Sequence, residues 1–458
     1  MKKLCWLVAI SILIFVFFYK LGDTALLSYD EAWYAEIARN ILRTKNVFQL
    51  QFNASPFIDH PPLGYILSAI SIGIFGNSEF SARFFSAAFG LGTIIVVFLI
   101  GKKIKSWEVG VAAAGILLSS MWFIFRSRSG NLDAPFMFWE SLTVYFLLHR
   151  KEKYLYFSVA SFAALLLTKT LVGVGLLPVI VFILWTRRKE LKPNVLVKSA
   201  TIFIILVSPW YLYNQMQNSG FLYHHFIEIG TRGDSNTYSI GALHESLRYL
   251  AIGVGKWYKV FLTSVLVSIA CIFLKKKDIF NWSVLFLWFA GFSVFLFSSE
   301  TQIWHLLPLY PILSLIIPFS LISFLQLIFP SSKRLWLVVL AGILLLSIYQ
   351  FKQFSNLVYP VSRSFSAEKD ISVKAGHYAN IYLLETFYPA SVYYSQQHIN
   401  SLYSDNMAYQ KMTSLLRSED SAVFIINNFL RSDLERDQVP FNVLEENSSY
   451  LLVGNKSI

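Results

Sequence analysis

The sequence predicts a polytopic α-helical membrane protein with a small α/β domain at its C-terminal end. Of its 458 residues, 55% are hydrophobic and 14% are charged, whereas soluble domains carry about 25% charged residues. The apolar residues form blocks of roughly 14 to 25 residues separated by short basic clusters, as in bundles of membrane-spanning helices. These observations exclude a large soluble core.

The formal net charge of +12 does not indicate a nucleic-acid partner. Most Lys and Arg residues lie in short clusters between apolar blocks, where positive charge sets the orientation of the spans. Only Cys5 and Cys271 are present, and both lie in apolar stretches. The sequence therefore excludes a disulfide framework and a cysteine-based metal site.

The basic clusters fix the predicted topology. Residues 1–20 read as an uncleaved first span with the N-terminus inside, because no small-residue cleavage signal follows them. Five later clusters are placed in the cytoplasm, at residues 102–105, 150–153, 187–192, 275–277 and 333–334. Ten later apolar blocks fit the crossings, and together with the first span they make about eleven transmembrane helices. They cover residues 80–101, 108–125, 134–148, 154–168, 171–186, 196–213, 258–274, 280–298, 305–328 and 335–350.

One apolar block, residues 63–76, is only 14 residues long, and counting it as a crossing would put the 102–105 cluster outside. We therefore interpret it as an in-plane or re-entrant segment of an outer loop, residues 21–79, that carries amphipathic helices. This placement leaves Arg83 on the outer side.

An odd number of spans puts the C-terminus outside, and residues 351–458 form a second predicted domain after the membrane domain, residues 1–350. Short apolar runs alternate there with helix-like stretches at 388–397 and 406–417. This alternation predicts an extracytoplasmic α/β domain of about 100 residues. The apolar runs are 379–384, 399–403, 421–427 and 449–453.

Ionisable side chains at membrane depth cost about 2.5–3.5 kcal/mol each on insertion scales, so their positions are informative. Under this topology the unusual ones lie in outer loops, and we predict that they form one site. They are Asp30, Glu31, Asp59, His60, Arg83, Arg126, Arg128, Asp133, Lys169, His224, His225, Glu228, Arg232 and His305.

Two adjacent acids, Asp30 and Glu31, open a predicted interfacial helix in which Trp33, Ile37 and Ile41 recur at helical spacing. One interpretation is helix capping, which is worth about 0.5–2 kcal/mol. The other is a general base exposed to an acceptor. Ser28 could cap the helix alone, and both interpretations stay open.

Asp59 and His60 directly precede two prolines in the sequence FIDHPPLGY. The prolines remove two donors and restrict the backbone, which would hold the acid and the histidine rigidly at the interface. The alternative is an ordinary proline-initiated helix.

Cationic residues lie in two further outer segments. Arg126 and Arg128 precede Asp133 in RSRSGNLDAPFMF, where a local Arg–Asp pair is one interpretation and phosphate binding by the arginine forks, with Asp133 on a sugar, is the other. Lys169 lies at a predicted outer turn. It either extends to the interface or binds a lipid phosphate.

A fourth segment, residues 221–236, contributes His224, His225, Glu228 and Arg232. The histidine–glutamate spacing could ligate a metal, but no HExxH motif is present. His305 opens a late span beside Trp304 and could be a simple interfacial residue.

Taken in order over residues 1–350, these motifs resemble the GT-C glycosyltransferases, and most closely the protein O-mannosyltransferases and the lipid A aminoarabinose transferases. An acid pair followed some 30 residues later by a PPL segment is fairly specific. The matching motifs are YDEAWYAEIARN (29–40), HPPLGY (60–65), Arg83, NLDAP (131–135), LTKT (167–170), SPWY (208–211) and HLLPLYP (305–311).

The resemblance implies an inverting membrane enzyme that moves a sugar from a polyprenyl-phosphate donor to a lipid, glycan or protein acceptor. The implied location is the outer face of a bacterial inner membrane, in cell-envelope or lipopolysaccharide modification. Asp30 matches the family's catalytic acid, with Glu31 beside it, and Asp133 matches its second-loop acid. His60 follows the mannosyltransferase form, whereas His305 stands where the family often has Tyr.

The leaving phosphate needs cations and hydrogen-bond donors nearby rather than an acid to protonate it. We expect four residues to bind the donor phosphate: His60, Arg83, Arg128 and Lys169. Sugar or acceptor contacts are expected from Asp59, His224, His225, Glu228, Arg232 and His305. No cofactor is required, and a divalent metal is optional.

Two other classes of protein remain open. A transporter would also place charges in a helical bundle, although it would normally show paired repeats. A non-catalytic envelope assembly protein would use the loop acids only as helix caps.

Overall fold

The computed structural model describes residues 2–229, 239–275, 278–329, 332–359, 365–384, 388–402, 407–418 and 420–455. The chain divides into two compact units. The first contains Met1–Tyr19, Ile58–Gly64 and Phe84–Pro360, and the second contains Lys20–Phe57, Tyr65–Arg83 and Val361–Ile458.

Helices occupy each of the eleven apolar blocks predicted to span the membrane. In the part that the structure describes, five helices are long and apolar enough to cross a membrane, or up to seven if two bent pairs each count once. The number of crossings therefore stays a prediction. The α-helices from these blocks are Lys2–Phe18, Glu79–Ile104, Trp107–Leu118, Met121–Ser127, Asp133–Leu147, Glu152–Leu166, Thr170–Gly173, Leu177–Thr186, Pro193–Gln217, Trp257–Lys275, Ile279–Ser293, Leu309–Ile328 and Lys333–Val358.

Shorter elements connect these helices. Gly241–Val254 is an α-helix, and Phe221–Tyr223 is a single turn that continues into the π-helix His224–Glu228. Short 3-10 helices cover Val174–Leu176, Val294–Phe297 and Ile303–Leu306.

The predicted single span over residues 108–125 is instead two helices, Trp107–Leu118 and Met121–Ser127, bent by 74°. The hydroxyls of Ser119 and Ser120 each donate to the Ile116 carbonyl at 3.0 Å. Such side-chain bonds compete with the helical ladder, which explains a break inside a continuous apolar run.

A second bend of 112° separates Gly241–Val254 from the helix that begins at Trp257. Gly255 adopts a φ of +65° there, a left-handed conformation that glycine adopts without the steric cost of a Cβ. The bend interrupts the backbone hydrogen bonds, so the groups around it need other partners.

The side chain of Gln350 satisfies backbone groups at both bends. Its amide nitrogen donates to the Ser119 carbonyl at 2.6 Å and to the Val254 carbonyl at 3.0 Å, and its amide oxygen accepts from the Lys256 N–H at 2.8 Å. The side chain is buried. The helix Lys333–Val358 runs past the boundary predicted at residue 350 because its buried positions continue at helical spacing to Val358.

The second unit contains two small sheets. The strands β1 (Gln51–Phe52) and β2 (Ser55–Pro56) form an antiparallel hairpin. The larger sheet has the order β4-β3-β5-β7-β6, with β3 parallel to β4 and β5, and with β7 antiparallel to β5 and β6. Its strands are β3 (Ile381–Leu383), β4 (Ile399–Ser401), β5 (Val423–Asn427), β6 (Asn442–Glu446) and β7 (Tyr450–Gly454).

Helices pack around this sheet and along the predicted outer loop. A hydrophobic core that includes Met412, Leu416, Phe424 and Val453 covers the sheet. The helices of the second unit include Asp30–Thr44, Ala367–Ala375, Tyr388–Ser395, Ala408–Leu416 and Leu430–Arg436. The short apolar block is a helix, Leu63–Phe75, and its in-plane placement stays a prediction.

Four C-terminal apolar runs contain the strands β3, β4, β5 and β7, as the alternation predicted. The edge strand β6 was missed because its side chains are mostly exposed or half-buried and lack a clear alternation. The helix Leu430–Arg436 was missed because it is short and polar, with ion pairs from Arg431 to Glu435 and from Arg436 to Asp433.

Candidate active site

Three motif segments meet in the first unit. The Leu63 N–H donates to the Leu167 carbonyl at 3.1 Å, which joins the HPPL and LTKT segments. Gly64 lies so close to Leu132 that an added Cβ would be 2.2 Å from the leucine Cδ2. A Cβ at residue 64 would require the Leu132 side chain to move, so the HPPL and NLDAP segments pack closely at this point.

The centre of this meeting point is a buried charge cluster. Arg126 Nε donates to Asp133 Oδ2 at 2.6 Å, and Lys169 Nζ donates to Asp133 Oδ1 at 2.6 Å. Asp133 is 4% exposed and Arg126 is 8% exposed, whereas the Lys169 side chain is 18% exposed. The cluster contains two cations and one anion, and so carries a formal excess of one positive charge. We name these three side chains the Asp133 cluster.

A hydrogen-bonded turn fixes Asp133 in place. Asn131 Oδ1 accepts from the Asp133 N–H at 2.8 Å, and Asn131 Nδ2 donates to the Arg126 carbonyl at 2.8 Å. The Ser86 hydroxyl donates to the Asn131 carbonyl at 2.7 Å. Because these groups are buried, their hydrogen bonds hold the turn in one conformation.

A second polar group joins Asp59 to the π-helical segment. His224 Nε2 lies 3.1 Å from Asp59 Oδ1, and His224 Nδ1 lies 2.6 Å from Glu228 Oε2. Hydrogen bonds that the ring donates to the carboxylates of Asp59 and then Glu228 raise the pKa of His224 above its ordinary value. Two carboxylates thus favour the protonated imidazole at this position.

The neighbouring His225 is in a different environment. Its Nδ1 lies 3.3 Å from the Ile58 carbonyl, and burial lowers its pKa. Arg232, also predicted to contact the sugar or acceptor, lies outside the described residues. Across the described ranges, no three His, Cys, Asp or Glu side chains are placed to hold a metal ion.

In the segment 302–305, Trp304 contacts the Asp133 cluster. The Arg126 guanidinium lies 5.5 Å from the centre of the Trp304 ring, which also contacts Trp122. His305 Nδ1 accepts from the Gln302 N–H at 3.1 Å, and its ring packs edge-on against Trp304. His305 therefore lies beside Trp304, as the interfacial interpretation expected, and its contact with a sugar or acceptor stays a prediction.

Arg128, predicted to bind phosphate, is buried against the end of the first helix. It donates to the carbonyls of Val16, Phe17 and Tyr19 at 2.6 to 2.9 Å, and Tyr359 packs against its guanidinium at 4.7 Å. These contacts satisfy carbonyls that a helix end leaves without intrahelical partners. The geometry supports a structural role for Arg128, whereas Arg126 contacts Asp133.

In the second unit, the two adjacent acids of the predicted outer loop have different environments. Glu31 is buried and accepts from Arg83 through both carboxylate oxygens, each at 2.8 Å, while Asp30 is half-buried. Arg83 also donates to the carbonyls of Leu21, Thr24 and Ala25. Arg83 and Glu31 are therefore engaged in holding the loop.

Ser28 does not cap this helix. The residue before the helix is Tyr29, and no side-chain cap bond is found there among the described residues. Ser28 Oγ instead accepts from the Ala390 N–H at 3.4 Å. Both acids lie in the first helical turn, so their charges complement the helix dipole.

Sequence reasoning missed a buried acid, Glu140, in the helix Asp133–Leu147. Its side chain is fully buried, and none of the described residues donates a hydrogen bond to either carboxylate oxygen. Seven residues separate it from Asp133, which places both on one helical face about 10 Å apart. An acid inside a predicted span is rare, and this feature of the sequence could have identified Glu140.

We expect Glu140→Leu to raise thermal stability in detergent. A buried polar group without a partner costs about 1–3 kcal/mol, and leucine has a similar volume. Thermal unfolding of the purified variant would measure the change, with Glu140→Gln as a control that keeps a polar group. A less stable leucine variant would contradict the expectation and show that the Glu140 side chain stabilises the fold.

Known proteins match the range of residues that contains the HPPL, NLDAP and LTKT segments. A family model described as dolichyl-phosphate-mannose-protein mannosyltransferase matches residues 59–213. An uncharacterised protein of Aquifex aeolicus (strain VF5) is 28% identical over 382 residues, which cover 79% of this chain and 72% of the relative.

A further relative carries a named activity. An undecaprenyl phosphate-alpha-4-amino-4-deoxy-L-arabinose arabinosyl transferase of Pseudomonas savastanoi pv. phaseolicola (strain 1448A / Race 6) is 30% identical over 125 residues. The match covers 27% of this chain and 24% of that relative.

A solved structure shares the fold. The crystal structure of ArnT from Cupriavidus metallidurans bound to undecaprenyl phosphate matches with a TM-score of 0.75 at 15% identity, covering 98% of each chain. Together these findings confirm the predicted GT-C membrane fold and the resemblance to the mannosyltransferase and aminoarabinose transferase families.

Proposed function

We propose that this chain, a membrane protein of GT-C fold, transfers a sugar from a polyprenyl-phosphate donor to a lipid, glycan or protein acceptor with inversion. The observation that carries the proposal is the Asp133 cluster, built where the HPPL, NLDAP and LTKT segments meet. All three segments lie within the range matched by the mannosyltransferase family model.

The donor end of the reaction is assigned to Lys169 and Arg126, with His60 in the adjoining HPPL segment. As the glycosidic bond breaks, negative charge grows on the departing phosphate, and fixed cations in a buried site stabilise that charge. Asp133 holds both cations in place while leaving the cluster one positive charge in excess. A divalent metal is optional in this scheme.

Undecaprenyl phosphate is named both for the arabinosyl transferase relative and for the structural neighbour. This supports a polyprenyl-phosphate donor for this chain. The sugar is assigned only by class, as a hexose or pentose.

The acceptor end is assigned to Asp30. An attacking hydroxyl or amine must lose its proton, and a half-exposed carboxylate can accept it. Contacts to the sugar or the acceptor are proposed for Asp59, His224, His225, Glu228, Arg232 and His305. The proposed location is the periplasmic side of a bacterial inner membrane.

Replacing Lys169 by glutamine should lower transfer on the order of a hundredfold, because it removes one fixed cation from the site of growing charge. The purified protein in nanodiscs would be given radiolabelled undecaprenyl-phosphate aminoarabinose or polyprenyl-phosphate mannose, with envelope lipid extract as acceptor. Because this charge grows in the transition state, the kinetic constant expected to fall most is kcat/KM for the donor.

The matched control is Lys192→Gln, because Lys192 is exposed and pairs with Glu152 at 3.2 Å. This control should transfer sugar at the wild-type rate. Equal weakening of donor and acceptor use in Lys169→Gln would argue against a phosphate role. Absence of transfer by the intact wild-type protein from every polyprenyl-phosphate donor would favour a transporter or an assembly protein.

A further inference from the structure

We propose that Tyr394, in the helix Tyr388–Ser395, is a positioning residue for Asp30. The inference rests on the proposed function, in which Asp30 is the base. It assigns the C-terminal part of the chain a role in positioning the base, through the short segment that leads into the helix Asp30–Thr44.

The segment before Asp30, residues 21–29, is held by a series of hydrogen bonds within the second unit. Arg83 donates to the carbonyls of Thr24 and Ala25, each at 2.9 Å. The Leu27 N–H donates to Glu31 Oε2 at 2.8 Å. These bonds fix the backbone on both sides of Leu26.

Tyr394 supplies the contact to Leu26 itself. The Leu26 N–H donates to the Tyr394 hydroxyl at 2.7 Å, and that hydroxyl donates to Glu79 Oε1 at 3.1 Å. Lys369 pairs with the same glutamate oxygen and lies 5.3 Å from the Tyr394 ring centre. The tyrosine hydroxyl is thus both a donor and an acceptor, oriented by a charged pair.

Packing supports the same connection. Leu26, Ala32 and Ala35 share one hydrophobic core with Ala390 and Tyr393. The segment and the helix Asp30–Thr44 therefore bury apolar surface against the helix Tyr388–Ser395.

Arg39, in the helix that begins at Asp30, makes a second polar contact to the helix Tyr388–Ser395. It donates to the Tyr393 carbonyl at 2.8 Å and to the Val392 carbonyl at 3.4 Å, and it pairs with Glu36. Burial raises the pKa of Glu36, although Arg39 and Arg43 act in the opposite direction. The segment before the helix Asp30–Thr44 and the helix itself therefore both bond to residues 392–394.

Loss of the Tyr394 hydroxyl would release the backbone four residues before Asp30 without altering any charge. Misplacement of a reacting group by about 1 Å can cost a hundredfold in rate. The predicted defect is therefore in the turnover step, whereas binding of the polyprenyl-phosphate donor is retained.

The test is Tyr394→Phe in the full chain, with Tyr409→Phe as the matched control. Tyr409 also lies in the C-terminal part of the chain, and its hydroxyl bonds to Asp437 at 2.9 Å. Two readouts are needed, namely kcat with the donor KM, and hydrogen–deuterium exchange of peptides covering residues 21–34. The exchange measurement reports local opening independently of activity.

We expect Tyr394→Phe to lower kcat about tenfold or more, to leave the donor KM within twofold, and to speed exchange in residues 21–34. Tyr409→Phe should change neither readout. Arg39→Lys keeps the charge but loses the planar fork, and we expect it to shift both readouts in the same direction.

Three results would overturn the inference. One is unchanged exchange in residues 21–34, another is faster exchange with an unchanged kcat, and the third is exchange that rises throughout residues 365–455. If the wild-type protein transfers no sugar, the proposed function fails. The exchange measurement would then still show whether Tyr394 holds the segment.

Discussion

Replacing Asp30 by asparagine is expected to lower sugar transfer on the order of a thousandfold while leaving the melting temperature close to wild type. A general base contributes roughly 10²–10⁴ in rate, and asparagine cannot accept the acceptor's proton. Asp30 is half-buried at the start of its helix, so the substitution removes only a modest dipole interaction. Initial rates with a radiolabelled polyprenyl-phosphate sugar would measure the loss.

The neighbouring acid supplies the control. Glu31→Gln should lower stability by about 3–5 kcal/mol, because it leaves the buried Arg83 without its bidentate carboxylate partner. The two variants therefore separate a chemical role from a structural one at adjacent positions. Near wild-type transfer by Asp30→Asn would remove Asp30 from the mechanism.

Replacing Gln350 by leucine should lower the free energy of unfolding by about 3 kcal/mol or more. The substitution leaves the carbonyls of Ser119 and Val254 and the N–H of Lys256 without their side-chain partner. Each unsatisfied buried group costs about 1–3 kcal/mol. Thermal unfolding in detergent, followed by intrinsic fluorescence, would measure the loss.

The matched control is Gln353→Leu, since Gln353 lies on the same helix with its side chain exposed. It should unfold at the wild-type temperature. If both leucine variants unfold alike, the loss comes from the helix surface and the role of Gln350 at the bends is wrong.

Hydropathy and charge clusters were enough to locate the apolar helices, because each apolar block had to form its own backbone hydrogen bonds. Hydropathy and charge clusters did not predict the two bends. Ser119, Ser120 and Gly255 are unremarkable inside apolar surroundings, and the residue that satisfies the bends, Gln350, lies about 95 to 230 residues away in sequence.

The candidate site was predictable at the level of segments. Loop position and motif order selected Asp133 and Lys169, and the structure joins them. The sequence assigned the donor phosphate to Arg128, whereas the structure places Arg126 on Asp133. It preferred Asp30 to Glu31 as the base through the family resemblance. In each pair the residues are one or two positions apart, and only the three-dimensional environment decides which one faces a structural partner.

Glu140 and Tyr394 were missed for different reasons. Glu140 lies within the predicted span 134–148, where the many apolar residues outweighed its single charge in the hydropathy of the block. The role inferred for Tyr394 depends on contacts to Leu26 and Glu79, which are more than 300 residues away along the chain. Periodicity and local motifs do not report such long-range contacts.

The dual role of Gln350 also bears on the order of events during biosynthesis. Both bends leave the ribosome well before residue 350, so their exposed carbonyls lack this partner while the earlier segments enter the lipid. The bundle can mature only after its final long helix has inserted. We therefore expect nascent chains stalled before that point to stay protease-sensitive, a susceptibility that completed chains lose.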